Sequence, residues 1–272
     1  MFRIVMGLSS LAFLAACATT PAISPAVRAD LAPTGKLRAG FNFGNATLTS
    51  KNPATGEAGG IAVDLARELG RRLGVPVEIV GYESGGKTAA GVKTGDWDVA
   101  FIAIEPARAA VITYTAAYVE IDATYLVPPG SPFRNAAEVD RDGVRVAVSA
   151  GGGNDLFLSR TLKRAELVRA PNPGAAYKLF VTDKLAAYAG LKPSLVRAVE
   201  KLPGSRVLDG RYTAIQQGIA TPKGRDAGAE YLRHFVEDVK ASGLVARIIE
   251  KNGVRGLTVP PPTVQIGGGS SM

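Results

Sequence analysis

Cysteine is all but missing from this chain: Cys17 is the only one in 272 residues. A single thiol excludes an internal disulfide and a thiolate metal cluster, so a folded domain must rely on its apolar core. Histidine is equally scarce. His234 stands alone in the amphipathic stretch Tyr231–Val236, with no second metal ligand at a useful spacing. A zinc site or a histidine-based catalytic triad therefore has no basis. The chain holds no G-x-S-x-G, H-E-x-x-H or G-x-G-x-x-G pattern, so hydrolase, metalloprotease and dinucleotide-binding chemistry lack their motifs. It also lacks a run of about 20 apolar residues, the length a membrane-spanning helix needs. No cofactor and no metal are expected.

What is present starts with an export signal. Met1-Phe2-Arg3 leads into an apolar run from Ile4 to Ala16, too short to cross a bilayer as a helix, and small residues follow. That pattern predicts a secretory signal peptide over residues 1–16. Leu14-Ala15-Ala16-Cys17 resembles the bacterial lipobox, which implies lipidation at Cys17 and a periplasmic protein held to a membrane by that anchor. Ordinary cleavage near Ala16 or Ala18, with Cys17 incidental, is the alternative. The net charge of +8 could suggest nucleic acid. Its carriers, such as Arg67, Arg71 and Arg72 or Arg160, Lys163 and Arg164, are instead scattered over predicted helix faces, so a solvated basic surface and no nucleic-acid partner are expected.

Residues 17–35 hold three prolines and no periodic pattern, and read as a tether. Beyond them strand and helix signals alternate. Leu37–Phe43 is a strand, and Ala62, Leu65, Ala66, Leu69 and Leu73 share one helical face that Gly74 and Pro76 terminate. Val77–Tyr82 is a strand, Thr88–Thr94 a short helix and Asp98–Ile104 a fully apolar strand, giving a parallel β-α-β-α-β unit. Tyr118–Pro128 is extended and ends in the breaker cluster Pro128-Pro129-Gly130-Ser131-Pro132. A second series follows: strands at Val144–Ser149, Glu166–Arg169, Leu185–Ala189 and Arg206–Leu208, and helices at Asp155–Leu162, Ala175–Val181 and Pro193–Leu202. Tyr212–Thr221 is extended again, and Asp226–Ala241 and Leu244–Lys251 are closing helices. The expected division is a first lobe over 36–127, a second over 128–211, a return to the first over 212–256 and a disordered tail over 257–272. The fold class is α/β, with two open sheets joined by two hinge crossings, a clamp that can close on a ligand as a monomer.

Arg108 follows the C-terminal end of the strand Asp98–Ile104, the place where open α/β sheets bind ligands. Its planar fork of donors matches a carboxylate, so this block predicts a small anionic ligand; a surface arginine capping the turn after Pro106 is the structural alternative. Gly95 to Arg108, Gly60-Ile61-Ala62-Val63-Asp64-Leu65-Ala66, Arg72-Leu73-Gly74-Val75-Pro76-Val77-Glu78 and Tyr114-Thr115-Ala116-Ala117-Tyr118 together resemble the extracytoplasmic solute-binding proteins of ABC importers, in family 3, typified by polar amino-acid binders. The likeness runs from about Gly35 to Gly256. It implies a two-lobed binding-protein fold, an ABC permease as partner and a carboxylate-binding role for Arg108. The chain departs from the pattern around that residue. Ala100, Phe101 and Ala103 stand where relatives place serine or threonine, Gly151-Gly152 replaces glycine and a hydroxyl residue, and no acid stands near Gly190 or Leu191 to receive an amino group. These departures argue against a standard α-amino acid, because an ammonium buried without a counter-charge is costly.

Further cleft candidates are Asn42, Phe43 and Asn45 after the first strand, Ile102 and Ala103 at the end of the third, and Lys87. Tyr118 starts the crossing, and the second-lobe turn Gly151-Gly152-Gly153-Asn154 could offer amides to the ligand. Asn45 is equally a turn residue, Tyr118 equally hinge packing, and the glycines equally a plain tight turn. Gly81-Tyr82-Glu83-Ser84-Gly85-Gly86-Lys87-Thr88 fits the P-loop pattern, yet export removes it from ATP and an accidental match is the better reading. Relatives that dehydrate cyclic carboxylic acids define an enzymatic alternative in the periplasm, with Glu120, Asp122 or Asp155 as the general acid. A sensory module is a third reading.

Overall fold

The computed structural model describes residues 23–263. The expected signal peptide, the lipidation site Cys17 and the tail beyond residue 263 lie outside the described residues.

The first lobe opens with α1 (Pro25–Leu31), β1 (Leu37–Asn42), a small hairpin of β2 (Ser50–Lys51) and β3 (Ala58–Gly59), and α2 (Ile61–Leu73). It continues through β4 (Val77–Tyr82), α3 (Gly85–Ala90), β5 (Val99–Ala103), a 3-10 turn at Pro106–Arg108 and β6 (Ile112–Tyr114). The crossing strand β7 (Val119–Val127) leads to β8 (Arg145–Ser149), α4 (Gly153–Thr161), β9 (Glu166–Ala170) and α5 (Pro173–Thr182). The second lobe ends with β10 (Ala187–Leu191), α6 (Lys192–Val199) and β11 (Arg206–Val207). The return crossing β12 (Thr213–Pro222), α7 (Asp226–Ala241), α8 (Leu244–Lys251) and β13 (Leu257–Thr258) complete the chain.

Hydrogen bonding runs unbroken in the order β4-β1-β5-β12-β7-β10-β8-β9. The two crossings are themselves strands: β12 pairs β5 through Gln217–Ala220 and β7 through Thr213–Gln217, while β7 goes on to pair β10 through Ala123–Leu126. The sheets of the two lobes are thus joined by the hinge rather than separated by it.

Each lobe's sheet is covered on both faces. All five residues of β5 are buried, as expected of a strand between two helical layers. On one side Phe41 stacks on Phe101 at 5.4 Å between ring centroids, within the core that α2, α7 and α8 cover. On the other, Trp97 packs with Ala100 and Ile102. Gly40 allows this: a Cβ there would lie 2.9 Å from the Trp97 ring. The apolar stripe of α2 is buried as its spacing predicts, and Gly74 ends the helix in the left-handed region at φ 67°.

Three expectations need correction. The supposed tether contains α1, whose Ser24 hydroxyl caps Val27 N and whose Leu31 is fully buried. Asp30 fixes it to the first turn of α7, accepting from Gly228 N at 2.9 Å. Seven residues are too few for a periodic pattern to be read. The supposed disordered tail contains β13, paired with β7 at Ile121 and Glu120, and Thr263 N donates to Glu237 on α7 at 2.6 Å. Finally, the third helix covers Gly85–Ala90 rather than Thr88–Thr94, because the Ser84 hydroxyl caps it at Lys87 N.

On α2, Glu68 accepts from Arg71 Nε at 2.7 Å and from Arg72 Nε at 2.8 Å, and Arg72 reaches Asp238 on α7 at 2.6 Å. The hydrogen bond from Arg71, with that from Arg72, holds the Glu68 carboxyl down to about 2. A carboxyl depressed in the folded state contributes stability above its unfolded pKa and loses it as pH falls through the folded value. Glu68→Gln should therefore lower Tm at neutral pH, and its Tm should converge with that of the wild type as pH falls towards 2; thermal melts across that range test this.

Candidate ligand-binding cleft

The C-terminal ends of β1, β5, β8 and β10 meet across the gap between the lobes, around a cavity of about 100 Å³. The helices that follow or face these strands point their N-termini into it. Ala62 of α2, Gly153 and Asn154 of α4, Pro173 of α5 and Ser194 of α6 all lie on the wall. First-turn amides have no intrahelical acceptor, and the helix dipole makes each such end favourable for negative charge. The caps of α4 and α6 carry no side-chain hydrogen bond that would occupy those amides, whereas the Ala62 N–H of α2 already donates to Leu48 O at 3.0 Å.

Arg108 is the one charged side chain on this wall, among the described residues. The 3-10 turn after β5 delivers it, and it is only 8 % exposed. Its Nη1 donates to Ala103 O at 3.0 Å, and its Nη2 crosses to the other lobe and donates to Gly151 O at 2.7 Å. Two of the five N–H donors are engaged in this way.

The lobes are closed. Arg160 on α4 pairs with the buried Glu105 at 2.6 Å, and Thr47 shares a 2.8 Å hydrogen bond with Ser194. Gly86 lies against the second lobe so tightly that a Cβ would fall 2.7 Å from Ala150 O. The turn that fits the P-loop pattern is therefore filled by the opposite lobe, with no room for phosphates. Gly86→Val should wedge the lobes apart: overpacking of this kind costs about 1–3 kcal/mol, so ligand affinity should fall about tenfold. Small-angle scattering should show a larger radius of gyration in the presence of ligand than for the wild type.

The sequence candidates divide. Asn42, Asn45, Ile102, Ala103, Arg108, Gly152, Gly153 and Asn154 line the cavity. Gly151 does not, but its carbonyl receives Arg108 and its N–H donates to Asp155 at 2.7 Å. Three side chains are not brought to the wall. Phe43 packs over Gly81 and under the Lys51 ammonium. Lys87 turns back along α3 to pair with Glu83, one helical turn away. Tyr118 is fully buried against Phe101 in the first-lobe core, where desolvation pushes its phenol up.

Most neutral polar groups on the wall already have partners. Asn42 accepts from Gly44 N at 2.9 Å and Asn45 from Thr47 N at 3.2 Å, each closing its own turn. Asn154 accepts from the Tyr212 hydroxyl at 2.8 Å, Thr49 donates to Asn42 O at 2.8 Å, and the Tyr188 hydroxyl donates to Pro173 O at 3.2 Å. The side-chain oxygens of the three asparagines are thus occupied, leaving N–H donors. No carboxylate lies on the wall among the described residues.

Sequence reading missed Thr49, Ser149, Ser194, Ile215 and Gln217, all of which line the cavity. Two of these left a signal. Ser149 ends a predicted strand at the ligand-binding edge, and Gln217 interrupts the inward-facing series Ile215, Gln217, Ile219 of an extended segment.

The sequence pattern of the bacterial extracellular solute-binding proteins, family 3, matches residues 37–254. Solved structures share the fold. The P235GK mutant of ArgBP from T. maritima aligns with a TM-score of 0.71 and 24 % identity, over 85 % of this chain and 100 % of that one. An amino acid ABC transporter substrate-binding protein, AbpA of Streptococcus pneumoniae, bound to L-arginine, aligns at 0.70 and 19 % identity, over 83 % and 98 %. The ancestral amino acid-binding protein AncCDT-1, described as a precursor of cyclohexadienyl dehydratase, aligns at 0.68 and 23 % identity, over 80 % and 95 %. A comparison with curated protein sequences finds no match.

Proposed function

Because this chain belongs to the bacterial extracellular solute-binding proteins, family 3, we propose that it closes on a small carboxylate solute outside the cytoplasm and presents it to an ABC permease. The observation that carries this reading is the wall chemistry: one buried arginine, several helix N-termini and no carboxylate. Every fixed charge and dipole there favours an anion. A ligand with a cationic side chain, such as the L-arginine bound to the pneumococcal protein, would bury its charge beside Arg108 with no counter-ion. The cavity, at about 100 Å³, is small, as a small solute requires.

Arg108 would clamp the carboxylate, with the amides of Gly152–Asn154 and the Asn42 and Asn45 side chains as further contacts. The expected lipid at Cys17 would keep the clamp near its permease; among the described residues no helix is long and apolar enough to cross a membrane. The dehydratase alternative loses support from the geometry. Glu120 accepts from Gln216 at 2.8 Å, Asp122 pairs with Arg211 at 2.6 Å and Asp155 pairs with Arg169 at 2.9 Å, all away from the cavity wall.

A thermal-shift screen of amino acids, carboxylates, sulfonates and phosphonates tests the proposal. A true ligand at 100 times its Kd should stabilise by about 2.7 kcal/mol and be recovered unchanged. Stabilisation by cationic amino acids alone would refute the reading.

A further inference from the structure

Two polar side chains on the cavity wall have no partner among the described residues. Gln217 is 4 % exposed and makes no side-chain hydrogen bond; only its main chain is engaged, pairing with β5 and β7 and accepting from Tyr118 N at 2.9 Å. The Ser149 hydroxyl, across the cleft at the end of β8, is buried and unpartnered. The Gln217 carboxamide is not one of the fully buried polar groups and opens onto the cavity, where water or a solute can meet it, while the buried Ser149 hydroxyl calls for a partner that the protein does not supply. The position of Gln217 specifies where such a solute sits. It lies opposite Ala103 in the β5–β12 register, and Ala103 O is the acceptor of Arg108 Nη1. Gln217 is therefore next to the carboxylate anchor, not at the far end of the cavity.

We propose that the solute is a 2-hydroxycarboxylate, its hydroxyl read by the Gln217 carboxamide and the Ser149 hydroxyl beside the carboxylate held by Arg108. This rests on the carboxylate reading above and narrows it. A carboxamide both donates and accepts, which matches a hydroxyl on the carbon next to the carboxylate. An ammonium at that carbon would bring three donors and a positive charge. It would meet two neutral acceptors, the Arg108 cation and helix N-termini, with no acid to balance it. A plain hydrogen there would give Gln217 nothing on the solute to bond.

Two matched series test this by calorimetric titration of the full chain: propionate, lactate and alanine, and succinate, malate and aspartate. Within the series that fits the cavity, the hydroxy acid should bind about tenfold more tightly than the unsubstituted acid and still more tightly than the amino acid, as one to two satisfied buried hydrogen bonds would give. Gln217→Leu should erase the advantage of the hydroxyl over hydrogen. Gln217→Glu, which places an anion at the same point, should reverse the order in favour of the amino acid by about tenfold, and it keeps the test open if the leucine variant does not fold. An amino acid that binds the wild type as tightly as its hydroxy counterpart overturns this inference and leaves the carboxylate reading standing. So does a hydroxyl preference that survives either Gln217 variant, or equal affinity for the hydroxy and unsubstituted acids. Failure of all six acids to bind, or undiminished binding by Arg108→Ala, overturns the carboxylate reading and this inference with it.

Discussion

Arg108→Ala is expected to weaken solute binding by a factor of about 100 or more, the largest functional effect of any single substitution in this cleft. Removing one member of a buried, charge-assisted pair costs about 2–5 kcal/mol, and each 1.4 kcal/mol is tenfold in Kd. Burial at 8 % exposure keeps water from replacing the lost guanidinium. The effect should be doubled in kind, because Arg108 donates to Gly151 O of the second lobe and would, on the proposed reading, link anion binding to closure. Arg108→Lys should rescue only part of it. An ammonium keeps the charge but loses the planar fork that donates to two carbonyls and would still present donors to a carboxylate. The melting temperature without ligand should stay near that of the wild type, since the side chain lies at the cavity wall, outside the two lobes' apolar cores. Titration of both variants alongside their melts checks each part.

Asp98→Asn should do the reverse, unfolding the protein more readily while leaving ligand selectivity in place. Asp98 is fully buried at the start of β5 and accepts from Arg38 N, Nε and Nη2 at 3.2, 3.0 and 2.8 Å, and from Arg225 Nη1 at 2.8 Å. Arg225 also donates to Asp30 O at 2.6 Å, so one carboxylate ties β1, β5, the start of α7 and α1 together. The hydrogen bond that Arg38 donates to the Asp98 carboxylate pushes the Arg38 guanidinium up from its ordinary value. An amide would keep the volume but present N–H donors to two guanidinium groups. Breaking a buried ion pair costs about 3–5 kcal/mol. The arginines are about a quarter exposed at 23 % and 25 %, which favours the lower end. At about 2–4 °C per kcal/mol for a chain of this size, Tm should drop by about 6–12 °C. The ranking of ligands should not move, because Asp98 does not line the cavity. A changed ranking, or a Tm within about a degree of the wild type, would contradict this account.

Elements whose residues carry their own periodicity were legible from the chain. Val77–Tyr82, Asp226–Ala241 and Leu244–Lys251 have the bounds that the sequence predicts, since an amphipathic stripe or an alternating run needs only its neighbours to be recognised. The small elements were not legible. Neither α1 nor β13 contains enough residues for a period, and each is held by partners far along the chain, α1 by α7 and β13 by β7. At the site, Arg108 could be named because a strand end followed by a turn is a local pattern. Gln217 could not be assigned to the cleft in advance, because its exposure to the cavity follows from the path of β12 between both lobes.

The sequence by itself determined the α/β order, the two crossings and the single arginine at the end of β5, all consequences of local periodicity and of turn residues. The tertiary structure decided which polar atoms remain free to meet a solute. Lys87 is spent on Glu83, Asn42 and Asn45 give their oxygens to their own turns, and Asn154 gives its oxygen to Tyr212, 58 residues away. What is left on the wall is a guanidinium, helix-end amides, the asparagine N–H donors, the Gln217 carboxamide and the Ser149 hydroxyl. Hydrogen-bond satisfaction depends on the fold as a whole, so no window of sequence could have made that selection.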